Sequence, residues 1–366
     1  MGSGRKLRLL TFVFFAVGLL LNQASAAPPK GKRGYTVTDI AKAGDDFRIQ
    51  GEYLGFVTMQ RVRKRVGLQV IAQGGGSFKG VVHSGGLPGA GWDGEDKGRL
   101  TGKLTGTTAT LRGNDQTWTI ATSGSVQVEG PGGTAIGQLS RVKRVSDSMG
   151  ARPPQGATIL FDGSTTEHFQ RGRMTSDKLL RAGSITKMKV QDFQLHLEFR
   201  TPYMPNAREQ GRGNSGVYIQ KRYEVQILDS FGLEGVHNEC GGLYRQRRPD
   251  LNMCFPPLSW QTYDIDFRAA RWVEGKKVAN ARLTVRHNGV LIHDDVEVPK
   301  KTGAGDQEAP QGGPIRLQFH GNPVHYRNIW IVEKKDDDSQ ADGCNKRRCR
   351  LRALLQRWRN RRKCDS

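Results

Sequence analysis

Residues 193–200 read Phe-Gln-Leu-His-Leu-Glu-Phe-Arg, four apolar residues at period two against four polar ones. An extended strand puts Phe193, Leu195, Leu197 and Phe199 on one face and Gln194, His196, Glu198 and Arg200 on the other, because successive side chains point to opposite sides. The pattern returns at Tyr223-Glu224-Val225-Gln226-Ile227, where a carboxylate and an amide occupy the face opposite Tyr223, Val225 and Ile227. Such runs are short, and the chain between them is rich in turn residues, with 47 Gly and 15 Pro in all. No long stretch at helical period occurs except at the two ends. These features predict an all-β architecture of packed antiparallel sheets.

The 366 residues suffice for about two domains of ordinary size. Arg5, Lys6 and Arg8 precede the apolar run Leu9 to Leu21, and Ala24-Ser25-Ala26 offers small residues for cleavage. This predicts a signal peptide over residues 1–26 and a secreted or periplasmic protein, the run being short for a membrane span. Residues 34–146 predict a first all-β domain with strands at Phe47 to Thr58, Val66 to Gln73, Phe78 to His83, Ala109 to Arg112, Trp118 to Ala121, Val126 to Glu129 and Ala135 to Arg144. Within it, Gly89-Ala90-Gly91-Trp92-Asp93-Gly94 spells G-x-G-x-x-G. Without a parallel strand before it and a helix after it, the string is turn chemistry and no dinucleotide site. Residues 147–155, containing Pro153-Pro154, predict an extended linker, and 156–335 a second β domain. There His287-Asn288-Gly289 marks a tight hairpin.

The net charge is +22, and residues 344–364 alone hold ten Lys or Arg and no acid. The tail, 336–366, is flexible or forms a short basic helix with Leu351, Leu354, Leu355 and Trp358 along one side. An anionic polymer or a membrane surface suits it as partner; nucleic acid has only the charge run in its favour. Cys240 and Cys254 either close a disulfide in an oxidising compartment or remain buried thiols. No cofactor is predicted; a divalent metal shared by His237 and Glu239 stays open, although that pair lacks the further ligands a closed site requires.

Several motifs of the second domain occur in a fixed order. They are Phe161-Asp162-Gly163, Phe193 to Phe199, Asn214-Ser215-Gly216-Val217-Tyr218, Tyr223 to Asp229, Trp260-Gln261-Thr262-Tyr263, His320-Gly321-Asn322-Pro323-Val324 and Tyr326-Arg327-Asn328-Ile329. Together they resemble the 3-keto-disaccharide hydrolase domain family across nearly all of residues 156–335. The resemblance implies a concanavalin-like jelly-roll sandwich acting on glycosides whose ring carries a 3-keto group. The insertion holding Cys240 and Cys254 and the basic tail depart from the family pattern.

Glu224 to Asp229 also resembles a degenerate E-x-D-x-x-E strand of family 16 glycoside hydrolases, with Gln226 and Asp229 in place of the second and third acids. At about 3.3 Å per residue, Glu224 and Asp229 would lie ~16 Å apart, whereas a retaining pair needs ~5–5.5 Å. A 3-keto sugar permits another route, in which a base removes the acidified C2 proton and the aglycone leaves from C1. The expected base is Glu224, with Arg222, His320 or Arg327 supplying positive charge or a proton. Asn214, Tyr218, Gln226, Asp229, Trp260 and Tyr263 are candidate substrate contacts, the two aromatic residues at 260 and 263 as sugar-stacking surfaces or as core. The alternative reading is a noncatalytic glycan-binding protein on the same fold.

Overall fold

The computed structural model describes Met1, residues 34–95 and residues 97–334. The expected export signal and basic tail therefore lie outside the described residues.

The first β unit is a closed antiparallel barrel of consecutive strands. Its members are β1 (Gly51–Met59), β2 (Val62–Gly74), β3 (Ser77–Ser84), β4 (Lys97–Thr105), β5 (Thr108–Gly113), β6 (Gln116–Ala121), β7 (Ser125–Glu129) and β8 (Ala135–Val142). Closure brings β8 against β1 in the register Gly55 to Leu139. A Cβ on Gly55 would lie 2.1 Å from the Gln138 carbonyl, so glycine is what permits this approach. Tyr53, Leu68, Val70, Leu111, Trp118 and Ile120 fill the interior, burial that stabilises by about 25 cal/mol per Å² of apolar surface.

Two expectations fail here. The strand expected from Phe47 starts only at Gly51, because residues 44–49 form helix α1 (Gly44–Ile49). Asp45 and Asp46 complement the positive end of its dipole, and Asp46 also accepts from the Gly76 N–H at 3.0 Å, pinning the helix to the barrel. Strand β4 was not expected, since Leu100 and Leu104 are its only large apolar residues. Pairing to β3 and β5 on both sides makes it a strand despite its composition.

Residues beyond 155 form the expected jelly-roll sandwich. In chain order its strands are β9 (Thr158–Phe161), β10 (Phe169–Gln170), β11 (Leu180–Arg181), β12 (Ile185–Thr186), β13 (Phe193–Arg200), β14 (Ser215–Ile219), β15 (Tyr223–Ile227), β16 (Gln261–Arg268), β17 (Arg271–Val273), β18 (Lys276–Ala279), β19 (Ala281–His287), β20 (Val290–Val298), β21 (Arg316–Leu317) and β22 (His325–Glu333). One sheet has the order β10-β12-β21-β14-β15; the other runs β11-β22-β13-β16-β19-β20, with β9 also on β22. The apolar faces read from sequence meet between them: Phe193, Leu195, Leu197 and Phe199 join Val217, Ile219, Val225 and Ile227 in one core. Tyr223 of β15 reaches across to Phe267 of β16, ring centroids 5.7 Å apart.

The presumed linker is not a free spacer. Its first half turns tightly and is sewn to the outer face of the larger sheet: Ser148 donates to Asp264 at 2.5 Å, Gly150 N–H to Glu198 at 2.7 Å, and Trp330 Nε1 to the Ala151 carbonyl at 3.1 Å. Polar side chains on that face hold a segment too small to hold itself. Barrel and sandwich also interlock directly. Tyr203 enters the barrel core, Ile71 and Val81 of the barrel join the sandwich core, and Arg212 links Asp229 (2.6 Å) to the Ala72 carbonyl (3.2 Å).

Candidate active site

Strands β14 and β15 are joined through Gln220 and Lys221, both with left-handed φ near +50° (52° and 54°), the geometry of a type I′ hairpin. That turn fixes the register Tyr218 to Glu224 and Gly216 to Gln226. On the other side of β14, Tyr218 pairs with Arg316 of β21. Alternation sends Val217, Tyr223, Val225 and Leu317 into the core and leaves Arg316, Tyr218 and Glu224 as a row across three strands on the opposite face. Gln318, Gly216 and Gln226 form the row beside it, with the Gln318 N–H on the Gly216 carbonyl at 2.8 Å.

Gly216 is a necessary part of this arrangement. A Cβ there would lie 2.2 Å from Glu224 Oε1, so the carboxylate rests in the space a side chain would take. With its amide turned to suit its neighbours, Gln226 donates to the Ser215 carbonyl (2.6 Å) and to Glu224 Oε1 (3.3 Å). The Tyr218 hydroxyl hydrogen-bonds the same carboxyl, and the Arg316 guanidinium lies 5.2 Å from the Tyr218 ring centre. Glu224 is only 3% exposed. Burial pushes its carboxyl up to about 7, against the opposing pull of the Tyr218 hydroxyl and the Arg316 charge. Burial likewise raises the Tyr218 hydroxyl, reinforced by the adjacent carboxylate. The result is a carboxyl that can both take and return a proton near neutrality, beside a hydroxyl donor and a fixed cation.

Beyond Arg316 the face opens into a cavity of about 750 Å³ whose lining includes Arg171, Arg181, Lys221, Phe319 and His325. Burial and the Arg200 and Arg181 charges push His325 down to about 4, which makes it neutral at pH 7.

The other sequence candidates lie elsewhere. Arg222 is consumed by the loop that follows β20, donating to Gln220 Oε1 and to the carbonyls of Gln307 and Gln311 at 2.8–3.1 Å. His320 is exposed, and no contact joins it to Glu224. Arg327 sits on the other sheet, on its outward face, where it donates to Glu198 at 2.6 Å and lies 4.1 Å over Trp260. Arg200 is over the same ring at 5.0 Å, so two guanidinium groups stack on Trp260. Tyr263 is core, its hydroxyl donating to the Gln226 carbonyl at 2.6 Å. Asp229 is spent on Arg212 at the barrel interface. Asn214 is buried and shapes the approach to β14, donating to the Gln210 carbonyl at 2.7 Å. Of the candidates, Glu224, Tyr218 and Gln226 stay together. Arg316 was missed; the signal was its polar place between Ile315 and Leu317 on an expected strand.

Cys240 and Cys254 are buried free thiols, hydrogen-bonded to each other, and burial pushes the Cys254 thiol up. Glu239 Oε2 accepts from the N–H groups of Gly235 (2.5 Å) and Val236 (3.1 Å). No cluster of three metal-ligating side chains occurs among the described residues.

Residues 156–332 match the family model of the 3-keto-alpha-glucoside-1,2-lyase-like domain. This half of the chain belongs to that family. A 3-keto-alpha-glucoside-1,2-lyase-like domain is glycosidase-like in its coarse function. Solved structures from Parabacteroides distasonis, provisionally named glycosyl hydrolases, are similar to about half of this chain. One is 32% identical, covering 50% of this chain and 85% of its own at a TM-score of 0.45. A second is 16% identical over 50% and 95% of the two chains, with a TM-score of 0.37. No curated protein matches the chain.

Proposed function

We propose that the lyase-like domain breaks the glycosidic bond of a 3-keto-glycoside by elimination followed by hydration, with Glu224 as the base. The observation that carries this reading is the buried Glu224 carboxyl, raised to about 7 and flanked by the Tyr218 hydroxyl and the Arg316 cation. The ketone at C3 acidifies the proton on C2. Glu224 takes that proton, and the electron pair of the C2–H bond forms an enolate whose charge Arg316 offsets. The enolate then re-forms the ketone as a C1–C2 double bond appears and the C1–O bond to the aglycone breaks. The departing oxygen takes a proton from protonated Glu224, or through Tyr218. Water adding across C1 and C2 returns hydroxyl to C1 and hydrogen to C2, completing a net hydrolysis. The family's description, a 1,2-lyase, supports elimination as the first half.

Export belongs to the same proposal: the residue 5–27 pattern suits an enzyme that meets saccharides outside the cytoplasm.

The test is incubation of the purified protein with a 3-keto-disaccharide and with its unoxidised parent. Release from the keto sugar alone is expected, and Glu224→Gln should lower turnover by roughly 10²–10⁴ with an unchanged circular dichroism spectrum. Equal cleavage of the parent, or full activity of the glutamine variant, would overturn the assignment.

A further inference from the structure

The cavity beyond Arg316 is lined by charge of one sign. Several cationic side chains elsewhere are matched: Arg99 and Lys97 hold Glu234, Arg271 holds Asp192, and Arg282 holds Asp295. The cavity lining holds Arg171, Arg173, Arg181, Lys221 and Arg316 and not one carboxylate. Among the described residues only Lys221 of these five makes an ion pair, to Asp306 at 2.9 Å. Three guanidinium groups, those of Arg171, Arg173 and Arg181, therefore line about 750 Å³ of open space without an ion-pair partner among the described residues, while the Arg316 charge acts on Glu224. That density of unmatched positive charge raises the free energy of the empty site, and an anion relieves it.

Its shape favours a saccharide over an extended polymer backbone. The volume falls in the range of ligand pockets, roughly 300–1,000 Å³. Phe319 lies on its wall, 58% exposed, a large apolar ring with no place in the core and a flat face of the kind on which a pyranose stacks. Arg316 lines this cavity and its charge also acts on Glu224, so it links the cavity to the Glu224 row.

We propose that this cavity is a subsite for an anionic sugar unit, a uronate or a sulfate ester, so that the saccharide presented to Glu224 is acidic. The anion is bound by Arg171, Arg173 and Arg181, and the sugar ring by Phe319. The proposal rests on the functional reading above only for what happens at Glu224; binding is a separate property and is measured separately.

The experiment is isothermal titration of the full Glu224→Gln protein, and of wild type at low temperature, with three disaccharides: one containing glucuronate, one carrying a sulfate ester, and their neutral glucose counterpart. A thymidylate 12-mer serves as a generic polyanion. One or both acidic sugars should bind at least tenfold tighter than the neutral one, and which of them does so identifies the anion. Arg181→Gln should weaken that binding roughly tenfold and leave neutral-sugar binding unchanged, the effect of one lost charge-assisted bond, and added salt should weaken it further. Arg181 is exposed, so its variant tests recognition without threatening the fold. Equal affinity for acidic and neutral sugars overturns the proposal, as does thymidylate binding as tight as that of the acidic sugars. Acidic-sugar binding without any cleavage of 3-keto sugars would uphold this subsite while the catalytic reading fails. Turnover of neutral 3-keto sugars with no preference for charge would do the reverse.

Discussion

Glu224 has an unusual balance of surroundings for a carboxyl group. Its ordinary value of 4.5 is raised to about 7 by burial, so its charged form is stable in the fold only above neutrality. For catalysis this predicts that kcat/KM on a 3-keto-disaccharide rises with pH through about 7. A profile flat from pH 5 to 9 would remove Glu224 as the base. For stability the sign is opposite. A raised folded value means a contribution fully present below 4.5 and lost as pH climbs through about 7. The ionised carboxyl should thus cost roughly 3 kcal/mol well above neutrality, and Glu224→Gln should melt higher than wild type at pH 9 but not at pH 4. Gly216 offers a second test at this scale. Gly216→Ala puts a methyl where Oε1 sits, 2.2 Å away, and should cut turnover about a hundredfold through displacement of the base. Near-normal kinetics of that variant would mean that the carboxylate can work from another rotamer. The sequence showed Glu224, Tyr218 and Gln226 because alternation assigns faces residue by residue. It did not show which cation would join them, since Arg222, Arg316 and Arg327 are all strand or turn arginines and only pairing order separates them.

At the scale of elements, the segment at 146–151 is held by charge. His196 is fully buried between Asp264, 2.6 Å away, and Glu198, and stacks on Trp330. Burial alone would lower its affinity for a proton, but the two carboxylates outweigh burial and raise it. Glu198 is pulled down to about 2: burial opposes this, and bonds from His196, Asn328, Arg327 and the Gly150 N–H prevail. The His196 contribution is therefore complete below 6.5 and lost as pH rises through its higher folded value; that of Glu198 is complete above 4.5 and lost as pH falls toward 2. His196→Gln should flatten the fall in melting temperature above pH 6.5; an unchanged slope would show that this histidine stays neutral. Nothing in the polar, proline-containing sequence of 147–155 indicated docking, because the partners are single polar side chains spread over β13, β16 and β22. Strand β4 was missed for a related reason: its neighbours, more than its own residues, make it a strand.

For the whole molecule, the barrel and the sandwich share buried contacts that neither can satisfy alone. Arg212 and Asp229 form a buried pair at their junction, with side chains 6% and 0% exposed. Arg212→Ala leaves Asp229 unpaired and should destabilise by about 3–5 kcal/mol in urea titration. Because Tyr203 and Ile71 each lie in the other unit's core, both units should unfold in one calorimetric transition; two resolved peaks would show independence.

The excursion after β15 returns to that strand: Gln226 N–H meets the Gly242 carbonyl and Gly241 N–H the Gln226 carbonyl, both at 2.9 Å, while Tyr244 N–H reaches the Glu224 carbonyl at 3.1 Å. The loop is attached to β15 by main-chain atoms, which substitutions other than proline leave in place. Side chains at 244–246 can therefore change, proline excepted, while the main-chain bonds that tie this loop to the Glu224 strand stay in place.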